Sequence, residues 1–401
     1  MYRALGIAAL LCLAMPATLR AQETCSPADL EKIASRVKDV QKRLIAVGGD
    51  VPDSTVPPST RADISVMKDS LATMADGYLG CKHENAADAK QIETGLAELL
   101  GANKQTSELA DYGADLHIAV TRPDDKADII GVQMSFNVMC GDDTILVLYE
   151  WENKGWRQIL RWQSKNYDDT YDAFGGFFGY AVVPGENAGS WVVAVAHGQP
   201  KCAGRWVGLQ LDMIARAHQG TPQRVLFHLD TAYDAGNETG PPITVKSRSD
   251  GFELRVPGPS MDLHIYSRTR IYRYRVLGTE VKRRQPVAVN GRDFVDEWLA
   301  SDWEDARSWT DSKNANDLES KHADILKLSD PINQNFTYGP VRPCLHDPKR
   351  FQVELDVNPG SPIYFGILEG ENSFTMLSAL DQPDSTCKGA DIMRKPANST
   401  P

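Results

Sequence analysis

The stretch SKNYDDTYDAFGG, Ser164 to Gly176, sets Tyr167 and Tyr171 among Asp168, Asp169 and Asp172. Tyrosine beside carboxylate offers a ring face for stacking and acceptors for hydrogen bonding, a pairing suited to glycans or peptides. A second stretch, TAYDAGNETGPP, repeats the tripeptide as Tyr233-Asp234-Ala235. If both stretches connect repeated β units, they emerge on one face with Asp142, Asp143, His197 and Lys201. Those residues form the candidate ligand-binding set. The competing reading is a solvated acidic turn, since surface loops gather such residues without any ligand.

Asp168, Asp172 or Asp142 would also serve acid–base work in a glycan hydrolase, where carboxylate separation sets the stereochemistry. No catalytic residue is assigned, because G-x-S-x-G, G-x-G-x-x-G and phosphate-loop patterns are absent. Ser65-Val66-Met67-Lys68 matches S-x-x-K but lacks the partner motifs SDN and KTG, so it reads as chance on a packed helix. The histidines form neither H-x-H nor H-E-x-x-H, so no zinc site is expected. The aspartates would suit calcium, yet they lack the D-x-D-x-D-G spacing and the closing Glu. No cofactor is therefore expected.

Aromatics are densest in LVLYEWENKGWRQILRW, residues 146–162. ENKG is the turn, and Trp151 and Trp156 flank it on strands expected to pair. Aromatic cross-strand pairs stabilise a hairpin by up to ~1 kcal/mol, so the tryptophans read as sheet packing.

The elements that must position these residues fall into four stretches. Residues 1–21 read as an export signal: Arg3, then the apolar ALGIAALLCLAM, then small Ala21. Acids outnumber bases, 54 to 43, and the net charge of −11 disfavours nucleic acid as a partner of the whole surface. No later run is apolar enough to cross a membrane as a helix. Beyond the signal, Cys25, Cys81, Cys140, Cys202, Cys344 and Cys387 suggest disulfides and an extracytoplasmic, oxidising compartment, periplasmic or secreted.

Residues 22–112 read as a helical hairpin with a third helix. Leu30, Ile33, Val37, Val40 and Leu44 repeat at helical spacing, as do Ile64, Met67, Leu71, Met74 and Tyr78. An antiparallel pair puts Cys25 beside Cys81, which predicts a bridge there. The third helix is expected over Asn85 to Leu109. Its stripes would be covered within the chain or, alternatively, would form a homodimer seam.

Residues 113–289 cut into three units of four antiparallel strands, beginning near residues 116, 177 and 243. TILVLY and WVVAVA are apolar on both faces, so each sheet must be covered on both sides. A propeller-like array would do this, and a two-layer β-sandwich is the alternative. Cys140 and Cys202 follow the second strands of consecutive units and are expected to pair. Residues 290–401 predict helices over GRDFVDEWLASDWEDARSWT and NDLESKHADILKL, then an antiparallel sheet with Cys344 bridged to Cys387. The expected fold class is thus multi-domain α+β. The expected role is a binding or scaffold protein for a glycan or peptide. A glycan hydrolase and a protein assembling through its helices are the alternatives.

Overall fold

Proline in the first turn and Asp29 beside the positive helix end start α1 (Pro27–Ile45). Helix α2 spans Pro58–Gly80. Helix α3 (Ala89–Leu100) is capped by the Asp88 side chain and stopped by left-handed Gly101, so it is shorter than the expected Asn85 to Leu109. The computed structural model describes residues 26–47, 55–81, 88–104, 110–123, 128–170, 173, 175–184, 191–200, 204–217, 221–236, 242–262, 264–265, 267–328, 336–357 and 360–393. The expected export signal and Cys25 lie outside them. No helix among the described residues is long and apolar enough to cross a membrane.

Four meanders of four antiparallel strands follow. Sheet 1 holds β1 (His117–Thr121), β2 (Ile129–Val138), β3 (Gly141–Glu152) and β4 (Gly155–Gln163). Sheet 2 holds β5 (Phe178–Pro184), β6 (Trp191–Gly198), β7 (Trp206–Ala215) and β8 (Arg224–Asp234). Sheet 3 holds β9 (Thr244–Arg248), β10 (Gly251–Pro259), β11 (Ser267–Leu277) and β12 (Glu280–Arg284). After α4 (Gly291–Ala300), α5 (Trp303–Ser308) and α6 (Ala315–Leu328) comes sheet 4, with β13 (Thr337–Cys344), β14 (Asp347–Asp356), β15 (Pro362–Glu369) and β16 (Phe374–Leu380). The three expected units and the C-terminal helix-plus-sheet arrangement are present.

Strand alternation decides how these layers stack. Ile145, Val147 and Tyr149 turn one face of β3 toward α1–α3, while Leu146 and Leu148 turn the other toward sheet 2. In β6, Val193 and Val195 meet sheet 1, while Val192, Ala194 and Ala196 meet Phe252, Leu254 and Tyr272 of sheet 3. The order is helices, sheet 1, sheet 2, sheet 3. Because α1–α3 cover the outer face of sheet 1, the sheets form an open stack and close no propeller ring among the described residues. Their face-to-face packing is that of a sandwich. The helical stripes, including Val37, Leu44, Met67, Leu71 and Leu96, are buried within the chain.

Trp151 stands opposite Trp156, with ring centroids 5.3 Å apart and edge to face. Asn153 and Lys154 form the turn at positive φ of 49° and 65°. The expected helix from Gly291 to Thr310 divides at Ser301, where Asp302 takes extended backbone and caps α5 through the Asp305 amide. Cys344 and Cys387 are bridged. Cys81 and Cys140 are disulfide-bonded, and their expected partners, Cys25 and Cys202, lie outside the described residues.

Sheet 3 meets α4 through charge. Buried Glu297 accepts from Arg268 at 2.6 Å, from Arg270 at 3.1 Å and from Arg283. Arg268 also lies 2.8 Å from Asp296, which accepts from Ser260 Oγ at 2.6 Å. Arg283 further stacks on Tyr272 and Trp309 at 4.6 and 5.0 Å. Burial alone would raise the Glu297 pKa, but Arg283, Arg270 and Arg268 outweigh it and hold the carboxyl far below its usual range.

Replacing Glu297 with Gln keeps the shape and leaves the guanidiniums facing a neutral amide. Denaturant unfolding is expected to show a loss of about 3–5 kcal/mol. A depressed carboxylate pKa contributes stability above its ordinary 4.5 and loses it as pH falls through the folded value. The variant should therefore lose most at neutral pH and converge on the wild type in acid. A loss below about 1 kcal/mol at pH 7 would remove the joint from the structural account.

Candidate functional site

The apolar filling between sheets 1 and 2 ends in a cavity of about 610 Å³. Alternation explains its polar wall. In β7, Leu209, Leu211 and Met213 pack on sheet 3, so Gln210 and Asp212 point the other way, toward sheet 1. Register then sets His197 opposite Gln210, and His228 opposite Asp212. Trp162 and Gln163 at the end of β4 face them, and Lys165, Asn166, Tyr167 and Ala173 close one side. Gln199 completes a set of primary amides around the opening.

Trp162 is buried and packs, with tilted rings, against His197 at 4.8 Å and Phe178 at 5.2 Å, with its indole N–H 3.4 Å from Asp212. Burial, with the nearby His228 charge, lowers the His197 pKa to about 3. This imidazole is neutral. His228 has the opposite balance: its hydrogen bond to Asp212 outweighs burial, and Asp230 helps raise the pKa. Its nitrogens lie 2.7 Å from Asp212 and 3.1 Å from Asp230. When charged, the ring donates from both nitrogens, one to Asp212 and one to Asp230.

Behind Tyr167 lies a buried polar network. Lys68 on α2 and Asp143 on β3 are both fully buried, 3.4 Å apart. Lys68 Nζ donates to Ser164 Oγ at 2.7 Å and to the Ser164 carbonyl at 3.1 Å. Ser164 and Tyr167 hydroxyls donate to Asp143 at 2.9 and 3.0 Å. Desolvation lowers the Lys68 pKa, and Asp143 opposes it. The lysine of S-x-x-K thus meets Ser164 rather than acting with Ser65. Ser164 is itself buried and gives its proton to a carboxylate, so the network positions the 164–167 segment.

The candidate residues separate accordingly. Tyr167 and His197 line the cavity, and Asp143 supports Tyr167 from behind. Tyr167 is 4 % exposed, which corrects its expected role as an exposed loop aromatic. Asp142 is half-buried, with burial raising its pKa, and is paired in register with Asn137. Asp168 is exposed and paired with Arg61, while Asp169 bridges to Thr55. Tyr233 is buried near Gly176, and Asp234 is held at 2.7 and 2.5 Å by Arg205. Tyr171, Asp172 and Lys201 lie outside the described residues. Sequence reasoning passed over Gln199, Gln210, Asp212 and His228. The alternation in GLQLDM was the available signal, because polar residues on a covered strand need a partner or a cavity.

Among the described residues no cluster of His, Cys, Asp and Glu is arranged to hold a metal ion. No family model matches the chain, and neither the curated proteins nor the solved structures yield a match.

Two measurements check this site. Tyr167→Ala should cost about 3 kcal/mol or more in denaturant unfolding, through lost packing and an orphaned Asp143 acceptor. An unchanged midpoint would return Tyr167 to the exposed class. Imidazole NMR should show His228 titrating above 6.5 and His197 not titrating between pH 5 and 8. A raised His228 pKa adds stability below its ordinary value and loses it as pH rises through the folded one. After solvent screening the size is below about 1 kcal/mol. Titration of His197 near pH 6.5 would show that its ring is solvated.

Proposed function

We propose that the protein is a binding protein that holds a short glycan segment in the cavity between sheets 1 and 2. The observation that carries this reading is the ring of amides from Gln163, Asn166, Gln199 and Gln210 beside Trp162 and Tyr167. Primary amides donate and accept at once, which matches neighbouring sugar hydroxyls. Asp212 is the carboxylate among the described lining residues, and it is bound to His228. A hydrolase would need a second carboxylate across the bond to be cut. Disulfides and the apolar N-terminus support an extracytoplasmic setting, reached through the signal of residues 1–21.

The test is a glycan array followed by calorimetry on the best hit. Gln199→Ala with Gln210→Ala should weaken binding roughly tenfold or more, at about 1 kcal/mol per neutral hydrogen bond. The unfolding midpoint should move by no more than about 2 °C. Unaltered affinity in the double variant would place the ligand elsewhere and remove this reading.

A further inference from the structure

The face of sheet 3 turned away from sheet 2 is basic. Phe252, Leu254, Tyr272, Tyr274 and Val276 fill the inner face, so the alternate residues point outward. Register sets Arg273 opposite Arg284 and Arg275 opposite Lys282, with Lys246 opposite Glu253 on the other flank. Glu253 is buried and already shared by Arg248 and Arg255, and Glu280 is held by Lys282 at 2.8 Å. Arg273, Arg275 and Arg284 form no ion pair with a described residue. Arg275 and Arg284 are exposed, and Arg273 is half-buried. In a chain of net charge −11, such a concentration of unspent arginine stands apart from the general surface.

These arginines open into a cavity of about 510 Å³. Its other walls supply Gln285, Ser308, Asn372 and Ser373, with Asp250 and Glu371 as the acids. Neighbouring strands lie about 4.8 Å apart and alternate residues about 6.6 Å, so the backbone positions of these arginines form a grid from which the side chains can reach successive oxyanion groups on a polymer. We infer that this face binds an acidic polysaccharide, with carboxylate or sulfate groups on the arginines and hydroxyls on Asn372 and Ser373, since Gln285 is bonded to the Phe374 backbone and Ser308 to the Asp305 carbonyl.

Local chemistry selects a glycan over other polyanions. Trp309, the aromatic of this cavity, is buried, so no ring is offered for stacking bases. The exposed large apolar residues, including Trp206, Val225, Val289 and Leu345, lie off the outward positions of sheet 3, so nothing there would enter a bilayer. The inference stands on a separate surface from the cavity between sheets 1 and 2 and does not rest on it.

The probes are dextran sulfate, uncharged dextran of equal length, single-stranded DNA, and vesicles containing phosphatidylglycerol. The intact protein is expected to bind dextran sulfate at low salt, with affinity falling as salt rises, and to ignore dextran. Arg273→Gln with Arg275→Gln and Arg284→Gln should weaken dextran sulfate roughly tenfold or more and flatten the salt dependence. Arg275→Gln with Arg284→Gln alone, both at exposed positions, should give a smaller loss in the same direction with the unfolding midpoint unchanged. Arg255→Gln, whose guanidinium is spent on Glu253, should bind nearly as the wild type does. The proposal is overturned if dextran sulfate does not bind, or if the folded arginine variants bind it as tightly as the wild type. Equal or tighter binding of the DNA or the vesicles would also overturn it.

Discussion

Strands β3 and β6 carry apolar side chains on both faces, and a sheet built on them exposes a greasy surface on each side until two partners arrive. Burial of apolar area at roughly 25 cal/mol per Å² drives the layers together, and the period-two alternation decides which residue meets which neighbour. Each layer is therefore conditional on the next. Helices α1–α3 complete sheet 1, sheet 1 and sheet 3 complete sheet 2, and the whole arrangement follows from strands that have no wet side.

The candidate cavity is the point where that rule lapses. Between sheets 1 and 2 the filling runs through Val193, Val195 and Ile214 and then gives way to His197, Gln210 and Asp212 on the same faces. Facing sheets remain at packing distance there, but their side chains no longer fill the gap. The Lys68–Asp143 pair keeps the free end of the gap in shape. A buried ion pair adds little net stability when compared with apolar filling, yet its hydrogen bonds demand one arrangement of Ser164 and Tyr167. Specific geometry at the cavity rim is what this charge pair supplies.

Much of the architecture is legible in the sequence because hydrophobic period is local. Gly, Asn and Asp mark the turns, and the Trp151–Trp156 hairpin could be read with its register. Helix ends were less legible, since Gly101 and Asp302 act through backbone geometry that the stripes of Leu and Ile do not record. The site was half legible. Tyr167 and His197 were found through their neighbours in sequence, while Gln210, Asp212 and His228 come together only when β7 pairs with β8. Tyr233 and Asp234 showed the reverse problem: a repeated tripeptide drew attention, but Arg205 and the glycines around it use those groups for packing. Burial of a charge is the feature that sequence pattern conveys least, and Lys68 is the clearest instance.

The stack also has to end, and the chemistry of its last joint differs from the others. Sheets 1, 2 and 3 adhere through apolar faces, which tolerate sliding because the attraction has little direction. The Arg268–Arg270–Arg283 group on sheet 3 cannot be covered that way; a helix that packed Leu or Val on it would bury unpaired guanidinium at a cost of several kcal/mol. Helix α4 instead brings Asp296 and Glu297 on consecutive positions, and Asn290 caps the same helix through Asp293. Directional bonds then fix the C-terminal layer at one angle to the stack. The arginines on the alternate positions of β11 receive no such partner, because α4 reaches only the inner set. Strand alternation thus divides one arginine-rich stretch, SRTRIYRYR, into a group consumed by the joint and a group left to solvent.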